Sequence, residues 1–165
     1  MGALRRSELE SAIRLREIGD YREAESLLAR VLEETPDDAE ANNQMAWLYD
    51  IQGREREAVP HYVKAIAGAL SDRERRGALL GLGSTYRALG EYSEAVEVLG
   101  QGVSEFPADR AMQTFLALAL YNIGEHRQAV DLLLKHLVET TSDPGIRSYE
   151  KALRFYTGRL DEVWG

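Results

Sequence analysis

The sequence predicts an all-α fold built as a solenoid of stacked helix pairs, about four pairs closed by a C-terminal capping helix. Three observations carry that expectation. Gly19, Gly53, Gly90 and Gly124 recur at intervals of 34, 37 and 34 residues, and Gly158 follows another 34 residues on. Between these glycines, apolar residues fall three and four apart, the spacing of one helical face. Each of the first four glycines is followed by a charged segment and an alanine, at Ala24, Ala58, Ala95 and Ala129. A fixed period of this length marks stacked supersecondary units, none of which buries its apolar face alone.

The first unit, about residues 5–38, opens near Ser7 with a helix carrying Leu9, Ala12, Ile13 and Leu15. Gly19 ends it with a conformation that a Cβ would penalise. Tyr21 and Ala24 begin a second helix through Leu27, Leu28, Val31 and Leu32, and Pro36 stops it. Asp37 and Asp38 follow as cap and first-turn acids of the next helix. The second unit, about 39–75, carries Asn42, Met45, Ala46 and Tyr49, then Ala58 and Tyr62. Pro60 lacks a backbone donor, which predicts a late helix start or a small kink. No proline closes this unit, and the interval grows by three residues; Ser71 or Asp72 is the expected cap of a lengthened helix.

The third unit, about 76–109, is the clearest. Leu79, Leu82 and Tyr86 share a face, Gly83 and Ala95 lie where neighbouring helices come close, and Gly90 and Pro107 punctuate it. The fourth, about 110–143, has Leu116, Ala117, Leu120, Gly124, Ala129 and Leu133, with its stop at Asp143-Pro144. A capping helix over about 144–158 follows, with Ile146, Tyr149, Leu153 and Tyr156 on one face, then a short tail from Leu160 to Trp164. No linker or second domain is evident, so one domain over 1–165 is expected.

Leu79, Leu82-Gly83, Tyr86, Ala95, Leu99 and Pro107 resemble the tetratricopeptide-repeat pattern W-x2-L-G-x2-Y…A-x3-F…P, with Leu79 for the Trp and Leu99 for the Phe. Asn42 and Gln113 take the Trp place in the second and fourth units. The resemblance covers about Ser7 to Tyr156. More narrowly, Gly81 to Leu160 resembles a small group of uncharacterised bacterial repeat proteins suggested to act as dimers. The resemblance implies a right-handed superhelix of antiparallel helix pairs whose first helices line a concave groove that binds peptides or partner proteins, and it carries over no catalytic residues.

Composition bounds the function. The chain has 165 residues, 28 acidic against 20 basic, and a net charge of -8. This balance repels nucleic acid, whose binding rests on Lys and Arg displacing counterions from phosphates. There is no cysteine, hence no disulfide, thiolate metal site or thiol nucleophile. The sequence has no apolar run long enough to span a bilayer and no hydrophobic signal core, and Arg6 breaks the myristoylation pattern; a cytoplasmic protein without membrane contact is expected.

Candidate chemistry is thin. His61, His126 and His136 lack metal-ligand spacing. Gly81 and Gly83 lie inside a helical pattern, where close helix packing explains them better than a phosphate loop. Ser84 has no nucleophile context, and Glu33-Glu34 and Asp37-Asp38 flank a helix boundary. No catalytic, cofactor or metal residues are therefore assigned, and no enzyme is expected.

By the family geometry, the groove candidates are Asn43, Gln44, Trp47 and Asp50 in the second unit, and Leu80, Ser84 and Arg87 in the third. The fourth adds Thr114, Phe115, Leu118, Tyr121 and Asn122. Trp47 and Tyr121 are large aromatics with a polar edge, a type suited to interfaces. At the places of the Lys-Asn-Arg clamp that binds acidic chaperone tails in some relatives stand Leu9, Ile13, Gln44, Gly77 and Gly81. The clamp is missing. The expected function is a protein-interaction scaffold that binds a peptide, a partner helix or a second copy, the last giving a homodimer. The alternative is a small-ligand-binding protein or enzyme using the groove as a pocket.

Overall fold

The five periodic glycines, Gly19, Gly53, Gly90, Gly124 and Gly158, all adopt positive φ, between 69° and 87°, a region where a Cβ clashes with the backbone. At four of them the same closure recurs. The amide after the glycine donates to the carbonyl five residues back: Asp20 to Leu15, Arg54 to Tyr49, Glu91 to Tyr86, Glu125 to Leu120, at 2.8–2.9 Å. The glycine amide donates three residues back in each case. This double bond satisfies carbonyls that the ending helix leaves free.

These turns separate the helices in a computed structural model that describes residues 2–165, with side chains from Arg5 onward. Among the described residues there are ten helices and no strand. They are α1 (Gly2–Glu17), α2 (Tyr21–Glu34), α3 (Ala39–Ile51), α4 (Glu55–Ala67), α5 (Asp72–Ala88), α6 (Tyr92–Glu105), α7 (Arg110–Asn122), α8 (His126–Thr140), α9 (Pro144–Ser148) and α10 (Glu150–Tyr156). The chain divides into two compact units, Met1–Glu91 and Tyr92–Gly165.

In the first unit each helix packs on the next, and α3 also packs on α1 and α5. The first helices of successive pairs thus form one layer, with α2 and α4 behind it. Leu9, Ala12, Leu27, Leu28, Val31, Met45 and Leu48 form a continuous core between these helices. Ala24, Ala58, Ala95 and Ala129 are all buried, so the alanine after each of these glycines lies inside the helix packing. Helix α1 begins at Gly2 rather than near Ser7. The N-terminal turns are anchored by Arg5, which pairs with the buried carboxylate of Asp38, itself the cap of α3 through the Ala41 amide at 3.0 Å.

Helix α4 starts at Glu55, with Pro60 inside it, so the expected late start is not found. Pro60 and Arg56, whose carbonyl loses its intrahelical donor, are both exposed, the setting in which a missing helical bond costs least. The three-residue insertion lengthens α5, which a full capping box between Ser71 and Glu74 begins.

In the second unit α7 packs between α6 and α8, and α10 packs on α8. Ala117, Leu120 and Ala129 form one cluster of its core, with Val96, Leu116 and Leu132 against them; Leu99 and Met112 are fully buried beside it in sequence. The expected capping helix is two helices, broken at Tyr149, which is 69% exposed rather than on a buried face. Neither piece holds a fully buried residue, so packing does little to keep them coaxial. The tail folds back, bringing Trp164 within 5.3 Å of Phe155 and 5.6 Å of Tyr156 between ring centroids.

Candidate functional site

Amphipathic first helices place polar and aromatic side chains on the face turned away from α2 and α4, and in the first unit that face is concave. It forms a cleft of about 970 Å³. Helix α1 contributes Ile13, Arg16 and Glu17, and α3 contributes Asn43, Gln44, Trp47, Asp50 and Ile51. Helix α5 contributes Arg73, Glu74, Gly77, Leu80, Gly81 and Ser84. Tyr62 of α4 forms part of the floor, and Ser71 lies at the rim.

Six of the seven candidates predicted in this unit therefore share one cleft: Asn43, Gln44, Trp47, Asp50, Leu80 and Ser84. Arg87, on the last turn of α5, does not line it. The five candidates of the second unit, Thr114, Phe115, Leu118, Tyr121 and Asn122, all lie on α7. There Tyr121 is the most exposed, Leu118 is exposed, and Thr114, Phe115 and Asn122 are half-buried. Thr114 turns its hydroxyl back to the Arg110 carbonyl at 2.7 Å. Tyr121 meets the ring of His126 at 4.9 Å.

The floor of the cleft is a hydrogen-bonded junction of three helices. Tyr62 donates to Asp50 at 2.8 Å, and the Thr85 hydroxyl lies 2.8 and 3.0 Å from the two Asp50 oxygens. Burial pushes the Asp50 carboxyl above its ordinary value, outweighing the bonds that favour its charge. Burial, then the Asp50 charge, likewise pushes the Tyr62 phenol up. Gly81 lies directly over this phenol; a Cβ there would sit 2.5 Å from the ring. Close helix packing thus accounts for Gly81, as its helical setting predicts.

Sequence reasoning missed Arg16. It is 8% exposed, and its guanidinium stacks on the Trp47 ring at 3.8 Å. Its Nε has no hydrogen-bond partner. Burial draws its pKa below the usual arginine value. The available signal was its position three residues after Ile13, on the same face of α1.

The amides in the Trp place also have a shared role. Asn42 is fully buried and donates to the Pro36 carbonyl at 3.0 Å; Gln113 donates to the Pro107 carbonyl at 2.6 Å. Each closes the loop six residues before it. Asn42 additionally meets His61 Nδ1 at 2.8 Å, and burial, then Lys64, lowers the His61 pKa. Among the described residues, no group of three His, Cys, Asp or Glu is arranged to hold a metal ion. None of the described helices is long and apolar enough to cross a membrane.

Comparison with known families agrees with this architecture. A family model described as "Tetratrico peptide repeat" matches residues 39–160, and a second, "Tetratricopeptide repeat", matches residues 7–41. The chain belongs to the tetratricopeptide-repeat family. Among solved structures, this repeat protein is similar to MamA, with a TM-score of 0.74 at 20% identity over 96% of this chain and 88% of that one. It is also similar to MamA 41-end from Desulfovibrio magneticus RS-1, with a TM-score of 0.71 at 20% identity over 79% and 72% of the two chains. A third similar structure is pilF from Pseudomonas aeruginosa, with a TM-score of 0.67 at 21% identity over 92% and 68%. At these identities the likeness shows the fold alone. No curated protein sequence matches the chain.

Proposed function

We propose that this repeat protein is a protein-interaction scaffold whose cleft on α1, α3 and α5 holds a segment of a partner, either a peptide or a helix. The observation that carries this reading is the convergence of three consecutive first helices on one cleft, with Trp47 standing 48% exposed in its wall. An aromatic anchor beside apolar Ile13 and Leu80 and a polar rim matches the anatomy of binding surfaces, where a few large side chains supply most of the affinity. The repeat fold is itself a non-catalytic scaffold type. Self-association belongs to the same proposal, through exposed apolar residues such as Leu118 and Tyr121 on α7 and Trp164 in the tail.

The experiment is site-specific photo-crosslinking from Ser84, inside the cleft, compared with Arg56, exposed on α4. A partner captured from Ser84 and not from Arg56 supports the reading; capture from Arg56 alone opposes it.

A further inference from the structure

Helix α8 turns an apolar stripe outward. Val130, Leu133 and Leu137 fall three and four residues apart and are all exposed, while Ala129 and His136 of the same helix are buried. A capping element presents a polar face to solvent, yet the segments that follow α8 do the opposite. Tyr149, Phe155, Tyr156 and Trp164 are each between 42% and 69% exposed. Packing ties them to the helix that carries the stripe: α10 lies on α8, and the Gly158 amide donates to Asp131 at 2.8 Å. At roughly 150–250 Å² for a whole aromatic side chain, these four rings alone leave about 300–500 Å² open. The stripe and the exposed Val163 bring the face toward the ~800 Å² that each partner gives to a standard interface.

Charge says what covers it. From α8 onward, residues 126–165, six basic side chains stand against six acidic ones, so the net charge of -8 lies wholly in residues 1–125. A strongly charged partner, such as nucleic acid or an anionic membrane, gains no net attraction from a balanced surface. Two copies that approach through residues 1–125 bring like charge together, whereas through this end they meet without net repulsion. A two-fold pair also lets basic side chains of one copy lie against acidic ones of the other, because the surface supplies both signs.

We propose that the face of Val130, Leu133 and Leu137, with Tyr149, Phe155, Tyr156 and Trp164, pairs with the same face of a second copy and closes a two-fold dimer. The proposal rests on the self-association named above and gives it a surface. It uses no residue of the cleft on α1, α3 and α5.

The test is sedimentation of the full chain at micromolar concentration and moderate salt, with two double variants. Val130→Gln with Leu137→Gln makes the α8 stripe polar; Leu118→Gln with Tyr121→Gln does the same to α7. Glutamine leaves the net charge unchanged, and all four positions are exposed, so both variants should keep the wild-type helical content. The wild type should sediment as a dimer. The α8 pair should raise its dissociation constant about tenfold or more, since each loss counts twice across a two-fold interface. The α7 pair should leave it unchanged. Should the α8 pair lose helix, Val130→Gln alone carries the same comparison.

A dimer loosened by the α7 pair alone would overturn this face and keep self-association through α7. A wild type that stays monomeric would overturn the second copy and leave the cleft reading, tested from Ser84, untouched. A monomer that floats with phospholipid vesicles and is released by the α8 pair would give the face to a membrane, and likewise overturn the proposal. Species that grow past a dimer with concentration would overturn the closed pairing.

Discussion

Asp50 shows how one side chain can be placed by sequence and explained only by structure. Its position on α3 put it on the inner face, and it does line the cleft. Its partners, Tyr62 and Thr85, lie 12 and 35 residues away, and no local pattern announces those bonds. Because burial holds its carboxyl above the ordinary 3.8, the folded protein binds the Asp50 proton more tightly than the unfolded chain. That contribution to stability is complete below 3.8 and is lost as the pH rises through the raised folded value. Asp50→Asn removes it. The unfolding free energy of wild type minus variant, from urea titrations at a series of pH values, should therefore fall as pH rises above 3.8; a rise would contradict the assignment. Arg16 was illegible for a related reason. A lone arginine near a helix end reads as solvated, and only the packed layer of α1 and α3 brings it under Trp47.

At the scale of the element, α5 makes opposite predictions one turn apart. A Cβ at Gly77 meets nothing within 4 Å, whereas at Gly81 it strikes the Tyr62 ring. Gly77→Ala should raise stability by about 1 kcal/mol, the ordinary helical preference for Ala over Gly. Gly81→Ala should lower it by about 1–3 kcal/mol through overpacking, because Tyr62 is buried and held by Asp50. Chemical denaturation of the two variants checks both signs; equal shifts would refute the packing account. Helix ends were the most legible feature, since the periodic glycines require a backbone that other residues avoid. The cap of α5 was readable to within one residue, Ser71 or Asp72, and Ser71 holds it. The start of α1 was not, because Arg5 reaches Asp38 across 33 residues. The break at Tyr149 was hidden too: Ile146, Tyr149 and Leu153 keep helical spacing, and only the absence of burial in α9 and α10 explains why the helix does not run through.

For the molecule as a whole, charge and apolar exposure act against each other. A net charge of -8 repels a second copy at low salt. Leu118, Tyr121 and Trp164, at 37%, 63% and 52% exposure, offer apolar surface for pairing. Screening shortens the repulsion to about 10 Å near 0.1 M salt and leaves apolar contact unweakened. Sedimentation at micromolar concentration should therefore show self-association that strengthens from low to moderate salt. A monomer in both conditions would rule out the homodimer and leave a different protein as the partner.

The central claim is that the cleft on α1, α3 and α5 is where a partner protein binds. The most direct measurement is crosslinking from a photoreactive residue at Ser84 in native cells, with and without Gly77→Tyr. Gly77 lines the cleft and a Cβ there meets nothing within 4 Å, so a side chain can start there without a clash. The account predicts a discrete crosslinked partner from Ser84 that disappears with Gly77→Tyr while the melting temperature is maintained. A partner captured equally well with the cleft filled would contradict it.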